Sequence, residues 1–143
     1  MELKGLKSPI IGFVIGELTA ALALRGSGAS VTVLEQASAI TEVGAGLQIS
    51  PNGVAVLRAL GLADDLAWCS QRARAVVLRS HRRGAEVLRL DLDQYAAGLP
   101  YYMVHRSDLI GLLAAAARRA GVQVRLLQGV DRVEAGRQPG VHL

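Results

Sequence analysis

Several things are scarce in this chain of 143 residues, and each scarcity removes a class of explanation. There is one cysteine, Cys69, so an internal disulfide is excluded; a reducing compartment, the cytoplasm, is the expected setting. The five aromatics (Phe13, Trp68, Tyr95, Tyr101 and Tyr102) do not alternate with basic residues. A stacking platform for nucleic acid is therefore not expected. The three histidines, His81, His105 and His142, are too scattered for a metal cluster or a nucleophile–base pair. Apolar runs are short and broken by Arg, Asp or Gly. None approaches the ~20 residues of a membrane span. The opening MELKGLKSP lacks an apolar core followed by a small-residue cleavage site, so no signal peptide is expected.

What is present suits a packed α/β domain. About half of the chain, 51%, is hydrophobic, which provides a core and argues against disorder. The formal charge is +4, carried mostly by arginine. That suits a phosphate-bearing ligand, although a solvated basic surface is the more ordinary meaning.

Periodicity sets out the elements. Leu6 to Ile11 reads as a short strand, with Pro9 awkward inside it. Gly16 to Arg25 reads as a helix ended by Gly26-Ser27-Gly28, and Ala29 to Leu34 as a second strand. Glu42 to Ile49 is glycine-rich and expected to be irregular. Ser50 is a good N-cap and Pro51 a good first residue for a helix stopped by Gly61. Leu62 to Cys69 suggests one more short helix. AVVLRS and EVLRLDL flank His81-Arg82-Arg83-Gly84 as a hairpin, and Tyr95 to Pro100 reads as loop. Tyr101 to His105 is a strand candidate, and Ser107 can cap a helix from Asp108 to Ala120. Val122 to Leu127 and Val130 to Glu134 read as strands. AGRQPGVHL looks like a turn and the start of another strand, which would be left unpaired. The chain is thus expected to be the front part of a longer protein.

The order strand, turn, helix, strand, acidic residue from Ile10 to Gln36 is that of a dinucleotide-binding βαβ unit. Its glycine fingerprint G-x-G-x-x-G is damaged. Counted from Gly12, the second glycine slot holds Val14 and the third holds Glu17, with Gly16 just before it. Glu35 closes the second strand, 23 residues after Gly12. A carboxylate there can accept hydrogen bonds from a ribose 2′-hydroxyl or merely face solvent; the elements ahead of it favour the ribose. Val14 and Glu17 act against binding. Val14 fills space that a diphosphate needs. Glu17 suits the helix dipole but puts a negative charge in an anion seat. A carboxylate ~5 Å from a phosphate charge costs on the order of 3 kcal/mol at an effective dielectric of ~20, roughly a hundredfold in affinity.

Three stretches together resemble one family. VTVLEQASAITEVGAGLQISPNGVAVLRALGL, YYMVHRSDLIGLL and GVQVRLLQGVDRVE are similar, in order, to FAD-dependent aromatic-ring monooxygenases of the salicylate hydroxylase and 3-hydroxybenzoate 6-hydroxylase kind. VGAGLQISPN and the His-Arg-x-Asp-Leu junction at HRSDL are the most specific parts. Where that family reads Gly-Ala-Gly-Ile-Gly-Gly-Leu, this chain has GFVIGEL; Gly12, Ile15, Gly16 and Leu18 match, while Phe13, Val14 and Glu17 depart. The resemblance implies a Rossmann-like α/β FAD-binding domain, incomplete relative to the family, with the start of a β-rich substrate domain. It implies a division into 1–72, FAD-binding; 73–99, the hairpin opening the substrate domain; and 100–143, FAD-binding continued. The implied activity is hydroxylation of a phenolic carboxylate with FAD, NADH or NADPH, and O2, and this chain alone is not expected to catalyse it.

The implied cofactor contacts are Gly12, Ile15 and Gly16 at the first turn, and Glu35 with Gln36 beside it at the adenosine ribose. Gly44, Ala45 and Gly46 would line the approach to the flavin, Arg106 would reach the ribityl or diphosphate part, and Val130 would touch adenine through its backbone. An aromatic small molecule is the implied substrate. Two other readings stand beside this one. A fold remnant that binds no nucleotide and self-associates would explain Val14, Glu17 and Pro9. An NAD-binding module would explain Glu35, but VGAGLQISPN and HRSDL argue against it.

Overall fold

The computed structural model describes residues 2–39, 45–134 and 140–143. Two compact units emerge, one of residues 1–43 and 109–143 and one of residues 44–108.

The first unit opens with the expected wrap. Strand β1 (Lys7–Ile11), helix α1 (Ile15–Gly26) and strand β2 (Ser30–Leu34) follow one another, and β1 and β2 pair in parallel from Lys7 against Ser30 to Ile11 against Leu34. Later in the chain come helix α5 (Arg106–Arg119) and strand β8 (Gln123–Arg125); β8 joins the other side of β2, giving the order β1-β2-β8. Pro9 stays inside β1, but β1 is an edge of this sheet, where a missing N–H is tolerated. Helix α1 buries Leu18, Ala21 and Leu22 on one stripe, and β2 buries Val31 and Val33 on one face. α1 ends as its glycines require: Gly28 takes φ +96°, a left-handed conformation that costs glycine little. Arg25, in the last turn of α1, donates from Nε to the Ala120 carbonyl at 2.8 Å and ties the helix to the end of α5.

The expected strand over Val122–Leu127 is cut short. Leu127 adopts φ +57°, which ends β8 at Arg125 and turns the backbone so that Gln128 N–H reaches the Glu35 carbonyl at 2.9 Å. Strand β9 (Arg132–Glu134) is likewise shorter than expected and pairs antiparallel with β10 (Gly140–His142). The terminal strand is therefore paired, contrary to the expectation from the sequence.

The second unit holds strand β3 (Gly46–Ile49), helices α2 (Pro51–Ala59) and α3 (Ala63–Trp68), and strand β4 (Ser70–Arg72). Strands β5 (Ala75–Arg79) and β6 (Glu86–Asp91), helix α4 (Leu92–Tyr95) and strand β7 (Tyr102–His105) follow. β5 and β6 form the expected antiparallel hairpin. The glycine-rich segment corrects the sequence reading: 40–44 lie outside the described residues, but Gly46–Ile49 is a strand, paired antiparallel with β7. β4 pairs with the other edge of β7, and neither β4 nor α4 is visible in the sequence pattern because each is so short.

Two capping expectations also change. Ser50 does stand at the N-cap of α2, but its hydroxyl meets Asn52 Oδ1 and makes no cap bond to the backbone. Ser107 does not stand at the N-cap, because α5 already begins at Arg106; its Oγ lies 2.7 Å from His105 Nδ1. A side-chain cap is instead made by Asp91, at the start of α4, whose carboxylate accepts from the N–H groups of Asp93 and Gln94 at 3.0 and 3.1 Å. Asp91→Ala should cost about 1 kcal/mol, read as a lowered urea midpoint; an unchanged midpoint would mean that this turn is held by other contacts.

Candidate functional site

The site is built around the turn from β1 to α1. Gly12 sits there at φ +103°, where L side chains are strained, and its N–H donates to the Leu34 carbonyl at 2.8 Å. This bond clamps the ends of β1 and β2 together. Val14 is the N-cap of α1 with extended backbone and no side-chain cap bond. The first N–H groups of a helix have no acceptor within it and form an anion seat. Ile15, half-buried, and Gly16, exposed, supply that first turn.

Glu17 lies against the same turn. A Cβ added to Gly12 would lie 3.4 Å from Glu17 Cγ and 3.7 Å from its Oε1, so the side chain folds back across the glycine. The other oxygen, Oε2, exposes less than 1 Å² and has no hydrogen-bond partner among the described residues. The backbone of the turn thus suits a diphosphate, while the carboxylate lying over it has the wrong sign.

Glu35 follows directly on β2. Its backbone is fixed at both ends, with N–H to the Arg125 carbonyl and C=O from the Gln128 N–H, both at 2.9 Å. Its Oε1 accepts the Ala37 N–H at 2.8 Å, which holds the half-buried carboxylate in one orientation. Gln36, beside it, is exposed, and Val130 is half-buried between β8 and β9. In the second unit, Ala45 and Arg106 are joined, Arg106 N–H donating to the Ala45 carbonyl at 3.1 Å. Gly46 starts β3 directly opposite His105. Gly46, Leu47, Gln48, Met103, Val104 and His105 line a largely apolar groove of about 330 Å³. Gly44 lies outside the described residues.

Long-range partners were not foreseeable from the sequence. Nothing in Gln128 or Arg125 announces that their backbones bracket Glu35. A roomier groove, about 550 Å³, lies at the opposite ends of β1 and β2 and is lined by Lys7, Pro9, Arg25, Thr32, Gln123 and Arg125. Ligands of open parallel sheets bind beyond the carboxyl ends of the strands, so its size does not make it the nucleotide site. Cys69 is also set aside as a nucleophile. Burial, reinforced by the Asp108 and Asp65 carboxylates, pushes its thiol up from the ordinary value despite an opposing backbone hydrogen bond. No group of three or more His, Cys, Asp or Glu among the described residues could hold a metal ion, and no described helix is long and apolar enough to cross a membrane.

A parallel βαβ wrap with a left-handed glycine at its first turn and a fixed carboxylate after its second strand defines a nucleotide-binding α/β domain. Comparison with known proteins narrows the class. The profile of the family described as FAD binding domain matches residues 10–139, and the chain belongs to that family. It is 42% identical over 109 residues to a 3-amino-4-hydroxybenzoate 2-monooxygenase of Streptomyces cremeus, covering 74% of this chain and 28% of that protein. It is 34% identical over 137 residues to 3-hydroxybenzoate 6-hydroxylase 1 of Aquipseudomonas alcaligenes, covering 88% and 35%. Among solved structures, a variant of 2-methyl-3-hydroxypyridine-5-carboxylic acid oxygenase superposes with a TM-score of 0.79 at 29% identity, over 89% of this chain and 33% of that one. The chain thus spans about a third of the length of these relatives, which are named as a monooxygenase, a hydroxylase and an oxygenase.

Proposed function

We propose that the chain supplies an FAD-binding portion of a monooxygenase that hydroxylates a phenolic or related aromatic carboxylate with NADH or NADPH and O2. The observation that carries this reading is Glu35, oriented by Ala37 and bracketed by Arg125 and Gln128, after a strand clamped to the Gly12 turn. When bound, FAD supplies the redox and oxygen chemistry. The chain's residues hold it. Glu35, with Gln36 alongside, accepts from the adenosine ribose, and Val130 offers backbone to the adenine. Gly12, Ile15 and Gly16 present the diphosphate turn. Ala45, Gly46 and Arg106 serve the flavin side, Arg106 as a fixed cation toward the ribityl or diphosphate part.

The division into 1–72 and 100–143 as FAD-binding and 73–99 as the opening of a substrate domain belongs to this proposal, as does a cytoplasmic setting. So does reduced FAD affinity from Val14 and Glu17. A second reading, a non-catalytic fold that binds no nucleotide and self-associates, draws support from Glu17 and from the hairpin. There Val76, Leu78, Val87, Leu88 and Leu90 are all exposed, and exposed apolar surface favours association.

The visible spectrum of the purified chain, followed by titration with FAD, separates the two. A flavin absorbance, intrinsic or acquired on titration, is the expected result. A colourless chain that ignores millimolar FAD and elutes as an oligomer would leave only the second reading.

A further inference from the structure

The groove at the amino-terminal ends of β1 and β2 carries charge of one sign. It holds about 550 Å³ and is lined by Lys7, Arg25 and Arg125, with Ser30, Thr32 and Gln123 among them, and no carboxylate lines it. Lys7 and Arg125 are exposed, and neither has an ion pair among the described residues. Arg25 is held by backbone alone: its Nε donates to the Ala120 carbonyl at 2.8 Å and its Nη1 to the Ala29 carbonyl at 3.3 Å. Its Nη2 lies 3.6 Å from where a Cβ on Gly121 would stand, so the glycine keeps the space beside this third nitrogen clear. The sheet face along the groove is polar by pattern. Thr32 pairs with Gln123, and Ser30, two residues back on β2, pairs with Lys7, while Val31 and Val33 are buried on the other face. Parallel sheets are ordinarily covered on both faces, and their strands then read as near-continuous apolar runs. Here β2 alternates instead. An apolar layer over this face would bury Lys7 and Arg125 without partners, which is costly. An anion neutralises them.

We propose that this groove is a second ligand site, separate from the FAD seat, and that it takes a phosphate monoester of a small polyhydroxy compound, the sugar-phosphate class. The three cations receive the phosphate. Arginine suits this task because its planar guanidinium offers several donors in a fixed fork, and hydrogen bonds between charged partners are the strong ones. Arg25 contributes most to precision, since its two backbone bonds hold the guanidinium in place before any ligand arrives. The size of the groove decides between a free ion and an ester. A volume of about 550 Å³ is of small-molecule scale, and a lone phosphate would leave most of it to water. The hydroxyls of Ser30 and Thr32 and the amide of Gln123 donate and accept, which matches sugar hydroxyls and does nothing for an apolar ligand. The site stands whether or not the chain binds FAD, because none of its residues belongs to the Gly12 turn or to the Glu35 carboxylate.

The test is calorimetric titration of the full chain at low ionic strength with ribose 5-phosphate, with inorganic phosphate and with ribose. Lys7→Ala, Arg125→Ala and their double variant are titrated in parallel, and Arg82→Ala/Arg83→Ala removes as much charge from the turn of the β5–β6 hairpin. Arg25 is left in place because it also ties α1 to the end of α5. The expected result is saturable binding of ribose 5-phosphate, tighter than that of inorganic phosphate or of ribose. Each groove substitution should weaken it about threefold or more and the pair about tenfold, as for exposed charges acting additively. The hairpin variant should bind as the native chain does, and all variants should keep the native urea midpoint. Excess FAD should leave the binding unchanged. Absence of saturable binding in the millimolar range would overturn the site. Equal weakening by the groove and hairpin variants would do the same, reducing the effect to the attraction of a basic surface. Inorganic phosphate bound as tightly as the ester would contradict the sugar-phosphate assignment. Displacement of ribose 5-phosphate by FAD would put the phosphate at the Gly12 turn and remove the second site while supporting the FAD reading.

Discussion

Replacing Val14 and Glu17 together by glycine raises the affinity for FAD by tenfold or more. On the proposed reading, the two side chains oppose a diphosphate in different ways. Val14 stands at the N-cap of α1, where a branched side chain replaces the glycine of the fingerprint. Glu17 lies over Gly12 with its Oε1 3.7 Å from where a Cβ would be, at the turn proposed to hold the diphosphate. Removing a charge ~5 Å from a phosphate relieves on the order of 3 kcal/mol at an effective dielectric of ~20. The tenfold expectation allows for solvent screening at a turn that is only partly buried. The double change also has a cost. Glycine in a helix is about 1 kcal/mol less favourable than alanine, and Glu17 in the first turn contributes roughly 0.3–1 kcal/mol through the helix dipole. The variant should therefore unfold at lower urea while binding FAD more tightly. Opposite movement of stability and affinity is the signature of a site relieved of a conflict. An affinity that does not change would mean that the diphosphate has been misplaced.

Leu18→Ala lowers the unfolding free energy by roughly 3 kcal/mol, within the range of about 2–5 kcal/mol for buried leucines cut to alanine. Leu18 is fully buried on the stripe of α1 that also buries Ala21 and Leu22. Alanine is the better helix former, so helix propensity works against any loss, and the whole effect measures packing. For a domain whose total stability is of the order of 5–15 kcal/mol, this is a large fraction. The comparison is Val56→Ala on α2, where the side chain is 49% exposed and the change should be within about 0.5 kcal/mol. A Leu18→Ala loss no greater than that of Val56→Ala would contradict the packing of α1 described here.

The first unit was largely legible in the sequence because its signals are local. Val-Thr-Val-Leu favours a strand, Leu18, Ala21, Leu22 and Arg25 are spaced as a helix, and Gly26-Ser27-Gly28 stops it. The hairpin of β5 and β6 was legible for the same reason. What the sequence hid was set by partners distant along the chain. Gly46–Ile49 is a strand only because β7 lies alongside it, and Gly-Leu-Gln-Ile has no strong preference of its own. β8 ends at Arg125 because Leu127 turns left-handed to meet the Ala37 carbonyl, a contact across 90 positions. Glu35 was legible as a candidate from its place after β2. Its fixing by Ala37, Arg125 and Gln128 was not. Glu17 was legible as an unsuitable charge, but its fold back over Gly12 and its sealed Oε2 belong to side-chain placement alone.

The proposed grip of Glu35 on the adenosine ribose is tested most directly by one substitution in one background. In the Val14→Gly/Glu17→Gly chain, where FAD binding is strong enough to measure closely, Glu35→Gln keeps an oxygen for the Ala37 N–H and removes the charge. Hydrogen bonds to charged groups contribute about 1.5–3 kcal/mol, so FAD affinity should fall by tenfold or more, with binding of riboflavin, which lacks the adenosine, unaltered. Equal FAD affinity with and without the Glu35 carboxylate would contradict the account.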